Sequence, residues 1–287
     1  MEYNLKPLWT ELINIYQVYK NICDENGLRF WGAYGTALGA VRHHGFIPWD
    51  DDFDVIMPFE DYLKFLEVAP KKLPQHLKII TGVNTGSPGL GFAKIQNCCR
   101  NIIHCVENDL GYSIPQGLYI DIFPLYGIPN ETIYDRLKAT YILLCQYGLE
   151  RRNFKTLYGR IAHYLGKPLK FFHGPKTLSE VALEKRKFSG AKKFDDSDFV
   201  TFFDFNIMKY GYDASGHIRP YKREWFKNSK IVKFENVELP IPSGYDELLR
   251  ECYGDYMTPP PPDKQVLKHG TESEAPWKFG PILDNIV

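Results

Sequence analysis

The sequence has no excess of charge of either sign, since 35 Lys and Arg residues balance 35 Asp and Glu residues in a chain of 287. A protein that holds nucleic acid through a strong basic field carries a positive surplus, so this balance argues against nucleic acid as the partner. Hydrophobic residues at 44% and charged residues at 24% are typical of a globular protein and exclude extended disorder. At ~150 residues per domain, the length predicts about two domains.

Long apolar runs are missing as well. The first twenty residues carry charges throughout, so they do not resemble a secretory signal peptide. The longest uncharged apolar-rich run, residues 139–149, is far shorter than the ~20 residues that a membrane-spanning helix needs. We therefore expect no transmembrane segment and a cytoplasmic protein, with peripheral contact at the inner membrane face left open.

Paired cysteine motifs are also absent. The six cysteines form no C-x-x-C pair, which predicts reduced thiols in a cytosolic protein. The densest group of candidate zinc ligands, Cys98, Cys99, His104 and Cys105, matches none of the usual zinc-ligand spacings.

Hydrophobic spacing predicts an α+β fold. We expect a mixed sheet within residues 1–125, a helical middle region, and a C-terminal segment that returns to the first part. The predicted helices cover residues 5–26, 37–43, 59–68, most of 132–172, 175–188 and 245–253. The predicted strands cover residues 29–31, 53–57, 77–81, 91–96, 102–107, 118–123, 230–234 and 237–241.

The most informative stretch is a run of aspartates that leads into a predicted buried strand. On an extended backbone Asp50, Asp52 and Asp54 share one side, because successive side chains alternate between faces. Three carboxylates within about 14 Å of one another repel strongly unless a positive group lies among them. A hard divalent cation such as Mg²⁺, which prefers oxygen ligands, fits this need best.

A solvated acidic turn and an EF-hand calcium loop are the two alternatives for this run. Ordinary acidic turns seldom continue directly into apolar residues such as 55–57, so the first alternative is disfavoured. A calcium loop that starts at Asp50 would need Gly and Glu where the chain has Val55 and Asp61, so that pattern fails.

A second acidic position stands alone in an apolar strand pattern. Asp121 lies in the segment GLYIDIFPL, and a lone buried carboxylate is costly without a partner. On a neighbouring strand it would complete a triad with Asp52 and Asp54. The alternative is an aspartate on an edge strand that faces water.

Groups suited to phosphate accompany these carboxylates. Gly35 and Thr36 come before a predicted short helix, whose first N–H groups and positive dipole end suit an anion; Thr36 is also a natural N-cap. Arg42 at the end of that helix could clamp a phosphoryl oxygen or form a structural salt bridge to an aspartate. Lys94 could neutralise phosphate, or extend to solvent from a sheet edge.

Three segments resemble the LicD-type phosphocholine transferase family, which is related to fukutin and the fukutin-related protein and belongs to the nucleotidyltransferase-fold superfamily. The segments are AYGTALGAVRHHGFIPWDDDFDVIMP, GLYIDIFPLYGIP and YGDYMTPPPPDK, and the resemblance spans about residues 28–125 and 243–270. It implies a nucleotidyltransferase-like core in residues 1–128 with a mixed sheet flanked by helices. A helical region over 129–192 and a C-terminal region over 193–287, packed on the core, would follow.

The resemblance also implies roles for the acidic residues. Asp52, Asp54 and Asp121 would bind Mg²⁺ or Mn²⁺, with Asp50 beside them. The acceptor hydroxyl must lose a proton, for which Asp121 is the first candidate base and Asp50 the second.

Other residues would contact the nucleotide or the substrate. Gly35 and Thr36 would hold phosphates, and Tyr34, which stands where the family usually has a second glycine, could face the donor. Lys264 and His269 belong to the closing motif, which we expect to fold back over the site.

The implied reaction is transfer of a phospho-alcohol, phosphocholine first, from a CDP-activated donor to a sugar hydroxyl of a cell-surface glycan or its precursor, which can be lipid-linked. Ribitol, glycerol or ethanolamine phosphate could be the cargo instead, and so could a nucleoside monophosphate taken from a nucleoside triphosphate. A non-catalytic binding module would have lost carboxylates that this chain retains. A choline group would need aromatic faces. The candidates for such a cage are Tyr112, Tyr119, Tyr221, Trp225, Tyr245 and Trp277.

Overall fold

A computed structural model describes residues 5–81, 92–98, 102–104, 117–127, 157–169, 193–202, 221–267 and 277–279, together with Leu144. These residues form a mixed α+β fold, as predicted. The helices are α1 Lys6–Asn26, α2 Tyr34–Arg42, α3 Phe59–Val68, α4 Leu157–Gly166 and α5 Tyr245–Tyr253. The strands are β1 Trp31–Gly32, β2 Asp54–Pro58, β3 Leu77–Ile80, β4 Ala93–Asn97, β5 Ile102–His104, β6 Tyr119–Gly127, β7 Phe199–Phe202, β8 Tyr221–Lys222, β9 Ser229–Phe234, β10 Val237–Pro242 and β11 Trp277–Phe279.

The central sheet has the order β1-β2-β6-β4-β3, with β7 paired to the end of β6 and β8 paired to β7. Strands β2 and β6 run parallel, whereas the other neighbouring pairs described in this sheet are antiparallel. The long strand β6 therefore has β2 and β4 as neighbours at its start, where Asp121 lies. The mixed sheet is confirmed.

Helix α1 forms because its apolar residues recur at helical spacing and cover the sheet. It ends at Gly27, which adopts the left-handed conformation at φ 62° that glycine reaches without a steric cost. The seven positions that the sequence assigned to its apolar face are all buried. They are Leu8, Leu12, Ile15, Tyr16, Tyr19, Ile22 and Cys23.

An aromatic cluster anchors the residue that precedes β2. Phe53 is fully buried, and its ring centroid lies 4.8 Å from that of Tyr16 and 5.3 Å from that of Phe234 on β9. Phe46 packs edge-on against both Phe53 and Phe234. Through these aromatic contacts, helix α1 and the C-terminal hairpin hold the acidic run in place.

The C-terminal hairpin β9–β10 returns to the first part of the chain, as predicted. Glu235 in its turn donates its N–H to the carbonyl of His44 at 2.8 Å and accepts from the N–H of Phe46 at 3.1 Å. Leu239 packs so closely on Gly32 that an added methyl group would come within 2.8 Å of its Cδ2 atom. The hairpin therefore fixes the loop between α2 and the aspartates.

Several predicted elements differ in extent or lie outside the described residues. Helix α2 begins three residues earlier than predicted, and β6 extends to Gly127. The predicted helix over 175–188, and much of that over 132–172, lie outside the described residues, so the boundaries 128/129 and 192/193 stay predictions. No helix in the described ranges has the length and apolar character needed to cross a membrane. Among the described residues, Cys23, Cys98 and Cys252 form no disulfide bond.

Candidate active site

Two of the predicted carboxylates are direct neighbours in the sheet. Asp54 is the first residue of β2, and in the parallel register it pairs with Asp121 on β6. Neighbouring strands lie about 4.8 Å apart, and side chains at paired positions point to the same face. Asp54 is 7% exposed and the Asp121 side chain 14% exposed, so both carboxylates are largely shielded from water.

The other two predicted carboxylates, those of Asp50 and Asp52, lie close to Gly35. A methyl group added at Gly35 would overlap the Asp50 carboxylate and would come within 3.8 Å of Asp52 Oδ1. Asp50 is buried, and Trp9 on α1 donates its indole N–H to the Asp50 carbonyl at 2.9 Å. Glycine is needed at position 35 because only a residue without a side chain lets the acidic run approach the helix this closely.

Thr36 ties the start of α2 to the start of β2. Its hydroxyl accepts a hydrogen bond from the N–H of Asp54 at 2.8 Å, and the N–H of Ala33 donates to the Asp54 carbonyl at 3.0 Å. The prediction of Thr36 as N-cap is wrong, since Ala33 takes that position and makes no side-chain cap. The threonine hydroxyl satisfies a backbone group of the strand, which is distant in sequence, instead of one in its own helix.

Tyr34 occupies a backbone conformation that favours glycine. Its φ of 43° lies in the left-handed region, which costs a non-glycine residue about 1–2 kcal/mol. The Tyr34 ring packs edge-on against Phe123 of β6 at 5.2 Å, a contact that offsets part of this cost. The ring therefore faces the strand that carries Asp121.

Lys94 is buried beside Asp121. These residues are register partners on β4 and β6, and Lys94 Nζ lies 3.2 Å from Asp121 Oδ1. The ammonium also lies 3.3 Å from the centroid of the Tyr119 ring. Lys94 is only 3% exposed and β4 has neighbours on both sides, so the alternative of a lysine that extends from a sheet edge is wrong.

Arg42 fastens α2 to the C-terminal region. Its Nη1 donates to the Tyr256 carbonyl at 2.8 Å, and its Nε donates to Nε2 of His43 at 3.0 Å. Within the ranges that the structure describes, Arg42 forms no ion pair, so the alternative of a salt bridge to an aspartate is not observed. Partial burial lowers the pKa of Arg42, and the nearby Tyr253 hydroxyl acts in the opposite direction.

Tyr253, the last residue of α5, is a site residue that the sequence did not single out. Burial raises the pKa of its hydroxyl well above the usual value, and negative charge on Cys252, Asp54, Asp50 and Asp52 raises it further. Although Tyr253 keeps 40% of its surface exposed, the burial that raises the pKa is that of the hydroxyl end of the side chain. Its hydroxyl is thus in the field of the acidic run and of Arg42. The only signal in the sequence was its place at the start of the closing motif.

The structure does not bring every predicted residue to this site. Lys264 is exposed in the short 3₁₀ helix Pro262–Lys264, where its N–H donates to the Pro261 carbonyl. His269 lies outside the described residues. Among the aromatic cage candidates, Tyr119 presents a ring face to Lys94, and Tyr245 presents one to Lys230 at 4.4 Å.

The carboxylate oxygens of this site are the kind of ligand that a hard divalent cation prefers. All the candidate ligands are carboxylates, and Asp54 and Asp121 are in register on adjacent strands. In the described part of the chain, however, no three His, Cys, Asp or Glu side chains already stand close enough together to hold an ion. An ion would have to draw the carboxylates inward, and Lys94 now balances part of the charge of Asp121.

Comparison with known proteins relates the sequence around this site to a known family. Residues 27–141 match the family model described as LicD/FKTN/FKRP, nucleotidyltransferase domain. Over 274 residues the chain is 26% identical to the lipopolysaccharide cholinephosphotransferase LicD of Haemophilus influenzae, a similarity that covers 91% of this chain and 94% of that protein.

Two shorter similarities involve uncharacterized Rickettsia proteins. The Rickettsia prowazekii protein is 37% identical over 128 residues, 44% of this chain and 38% of that protein. The Rickettsia typhi protein is 39% identical over 62 residues, 21% of this chain and 20% of that protein. With the acidic strand pair and the glycine turn inside the matched range, and a similarity to LicD that runs along most of both chains, residues 27–141 are a LicD/FKTN/FKRP nucleotidyltransferase domain and the chain is an enzyme of the LicD type.

Proposed function

We propose that this enzyme transfers phosphocholine from a CDP-activated donor to a sugar hydroxyl of a cell-surface glycan or its precursor, and that it releases CMP. The relative in Haemophilus influenzae is named a lipopolysaccharide cholinephosphotransferase, which supports a lipopolysaccharide-type acceptor. The observation that carries the proposal is the parallel register that sets Asp54 beside Asp121, with Asp50 and Asp52 against Gly35. Carboxylates in this number, next to a helix N-terminus, suit a metal–phosphate substrate better than any neutral ligand.

Asp52, Asp54 and Asp121 would hold Mg²⁺ or Mn²⁺. An ion held there would supply positive charge that offsets the negative charge developing on the CMP leaving group. The chain itself contributes the first turn of α2, where Gly35 lies against the Asp50 carboxylate and where the N–H groups at the start of the helix suit phosphate oxygens. Lys94 adds a positive charge on β4, on the side of Asp121 that is opposite Asp54.

The acceptor hydroxyl needs a proton acceptor, and the structure favours Asp50 over Asp121. The ammonium of Lys94 stabilises the ionised form of Asp121, which weakens that carboxylate as a base. A carboxylate that also binds a metal is weakened further. Asp50 lies beside Gly35 at the start of α2, outside the strand register that pairs Asp121 with Lys94. We assign the general base role to Asp50.

A panel of CDP-alcohols tests the proposal. With Mg²⁺ and a mixed glycan acceptor, we expect CMP release from CDP-choline to exceed release from CDP-ribitol, CDP-glycerol and CDP-ethanolamine. Release that depends on added glycan, together with transfer of labelled choline phosphate to it, would support the proposal. Pyrophosphate release from a nucleoside triphosphate, without CMP release from any CDP-alcohol, would favour a nucleotidyltransferase.

Tyr253 provides a more specific prediction. Burial and the nearby carboxylates raise the pKa of its hydroxyl, so this group keeps its proton at neutral pH and can donate a hydrogen bond to a donor phosphate bound beside the acidic run. We expect Tyr253→Phe to lower kcat for CMP release about tenfold, the cost of one lost hydrogen bond to a charged group, with little change in melting temperature. Steady-state kinetics with CDP-choline measures this effect.

The matched control is Tyr256→Phe. Tyr256 is buried, and its hydroxyl donates to Asp246 at 2.7 Å in a partly buried hydrogen bond. This variant should keep kcat within about twofold, since Asp246 is not among the proposed site residues, and should lose about 1 kcal/mol of stability with the hydrogen bond. Equal losses in both variants would show that the effect comes from the packing of α5, not from the Tyr253 hydroxyl.

The cellular location is part of the proposal. A CDP-activated donor requires access to the nucleotide pool, and reduced cysteines at positions 23, 98 and 252 suit a reducing compartment. We therefore place the enzyme in the cytoplasm, with its acceptor presented from the inner membrane face.

A further inference from the structure

Helix α4 presents its large apolar side chains to solvent. Leu157 is 69% exposed, Ile161 51%, Tyr164 67% and Leu165 60%. At 100° per residue these four positions fall within an arc of about 100°, which makes them one continuous face. A helix of a water-soluble domain normally turns such a face toward the core.

The side of α4 that is buried carries small residues instead. Ala162 is 4% exposed and Gly166 is buried, and both lie on the side of the helix opposite Leu157. Packing alone would favour the reverse orientation, because burying Leu or Ile contributes about 1.5–3 kcal/mol and burying Ala far less. The exposed face therefore requires an apolar partner.

The charge of the surrounding sequence identifies the kind of partner. Residues 151–179 contain seven Lys and Arg residues and no Asp or Glu, in a chain whose overall charge is zero. The basic residues are Arg151, Arg152, Lys155, Arg160, Lys167, Lys170 and Lys176. The average acidic content of the chain would place roughly three or four acidic residues in a stretch of this length.

Two of these cations lie at the border of the apolar face. Arg160 and Lys167 are exposed, and the Lys167 ammonium lies 5.0 Å from the centroid of the exposed Tyr164 ring. An apolar stripe with an aromatic residue and flanking Lys and Arg is the pattern of a helix that lies in a membrane interface, with its cations at the level of anionic headgroups. Basic clusters of this size bind anionic lipid surfaces.

We propose that α4 is a membrane-docking helix that binds reversibly to an anionic lipid surface. The face formed by Leu157, Ile161, Tyr164 and Leu165 enters the acyl boundary, while Arg160 and Lys167 contact lipid phosphates. Ten helical residues bury too little apolar surface for permanent anchoring, so binding is weak and falls with salt. This inference goes beyond the transferase reaction and does not depend on it.

Vesicle co-sedimentation of the full chain tests the inference without donor, acceptor or metal. We expect binding to phosphatidylcholine vesicles that contain phosphatidylglycerol, little binding to pure phosphatidylcholine, and release in high salt. Ile161→Glu should weaken binding at least about tenfold, because it removes an apolar side chain that would enter the acyl boundary and adds a charge that anionic lipid repels. The double variant Arg160→Gln with Lys167→Gln should lose about fivefold for each charge removed.

Ile231→Glu is the matched control. Ile231 is 56% exposed on β9, outside the basic segment, so the same substitution there should leave binding within about twofold of the unchanged protein. Circular dichroism and melting temperature establish that both glutamate variants fold alike.

Three results would overturn the inference. The first is equal binding to vesicles with and without phosphatidylglycerol, and the second is unchanged binding of Ile161→Glu. The third is a dimer, seen by light scattering, that Ile161→Glu converts to monomers, since the face would then join two copies of the chain. If the unchanged protein binds these vesicles as expected but releases no CMP from any CDP-alcohol, only the transferase proposal is contradicted.

Discussion

Asp54→Asn is expected to lower CMP release at least about a thousandfold, which corresponds to about 4 kcal/mol of lost transition-state stabilisation. Asp54 begins β2 beside Asp121, and the amide replaces a charged ligand with a neutral group of the same shape. Its backbone contacts with Thr36 and Ala33 stay in place, so the local fold should persist. The melting temperature of the metal-free protein should be unchanged or higher, because one of several repelling charges is gone.

Two measurements separate this effect from a folding defect. Mn²⁺ binding, followed by calorimetry or electron paramagnetic resonance, should weaken strongly in Asp54→Asn and remain measurable in the unchanged protein. The matched control is Asp61→Asn, which removes a partly buried carboxylate that pairs with Arg29 at 2.7 Å, away from the site. That variant should keep CMP release within about twofold and lose at most about 1 kcal/mol of stability. Near-normal turnover by Asp54→Asn would refute the metal assignment.

Lys94→Met is expected to lower the free energy of unfolding by about 3–5 kcal/mol, the usual cost of removing one partner of a buried ion pair. The loss arises because Asp121, with a side chain 14% exposed, would keep a charge that nothing in β4 balances. Methionine preserves most of the aliphatic stem against the Tyr119 ring, so packing contributes little to the effect. Urea denaturation followed by fluorescence measures the change.

A second substitution tests the cause of that loss. In the double variant Lys94→Met with Asp121→Asn, the uncompensated charge is removed, so we expect part of the stability to return while CMP release stays absent. Lys222→Met is the exposed control, because Lys222 pairs with Glu224 at 3.5 Å where both side chains are more than half exposed. It should change stability by less than about 0.5 kcal/mol. A loss under about 1 kcal/mol in Lys94→Met would contradict a buried ion pair.

The local patterns in the sequence predicted most of the regular elements. Helix α3 and helix α5 have the predicted bounds, because each has a helical apolar period and a clear start signal, a buried strand end before Phe59 and a Pro-Ser turn before Tyr245. The hairpin at Glu235-Asn236 was equally visible from its two alternating strands. These features depend on neighbours within a few residues, which is the range that sequence patterns cover.

The roles of Thr36, Lys94 and Arg42 could not be assigned in the same way. Thr36 bonds Asp54, Lys94 contacts Asp121, and Arg42 bonds Tyr256, partners that lie 18, 27 and 214 residues away. Each of these side chains had two plausible local roles, and the choice between them depended on which distant backbone or charge lay within reach.

The sequence by itself predicted the chemistry that we propose for this protein, because a run of aspartates before a buried strand favours a bound cation and because its motifs resemble one family. The tertiary structure decided which groups share the site. The parallel register of β2 and β6 sets Asp54 beside Asp121, and the return of α5 brings Tyr253 into the field of Asp50 and Asp52. Strand register and helix docking depend on packing of the whole core, so contacts between such distant segments could not be inferred from local spacing.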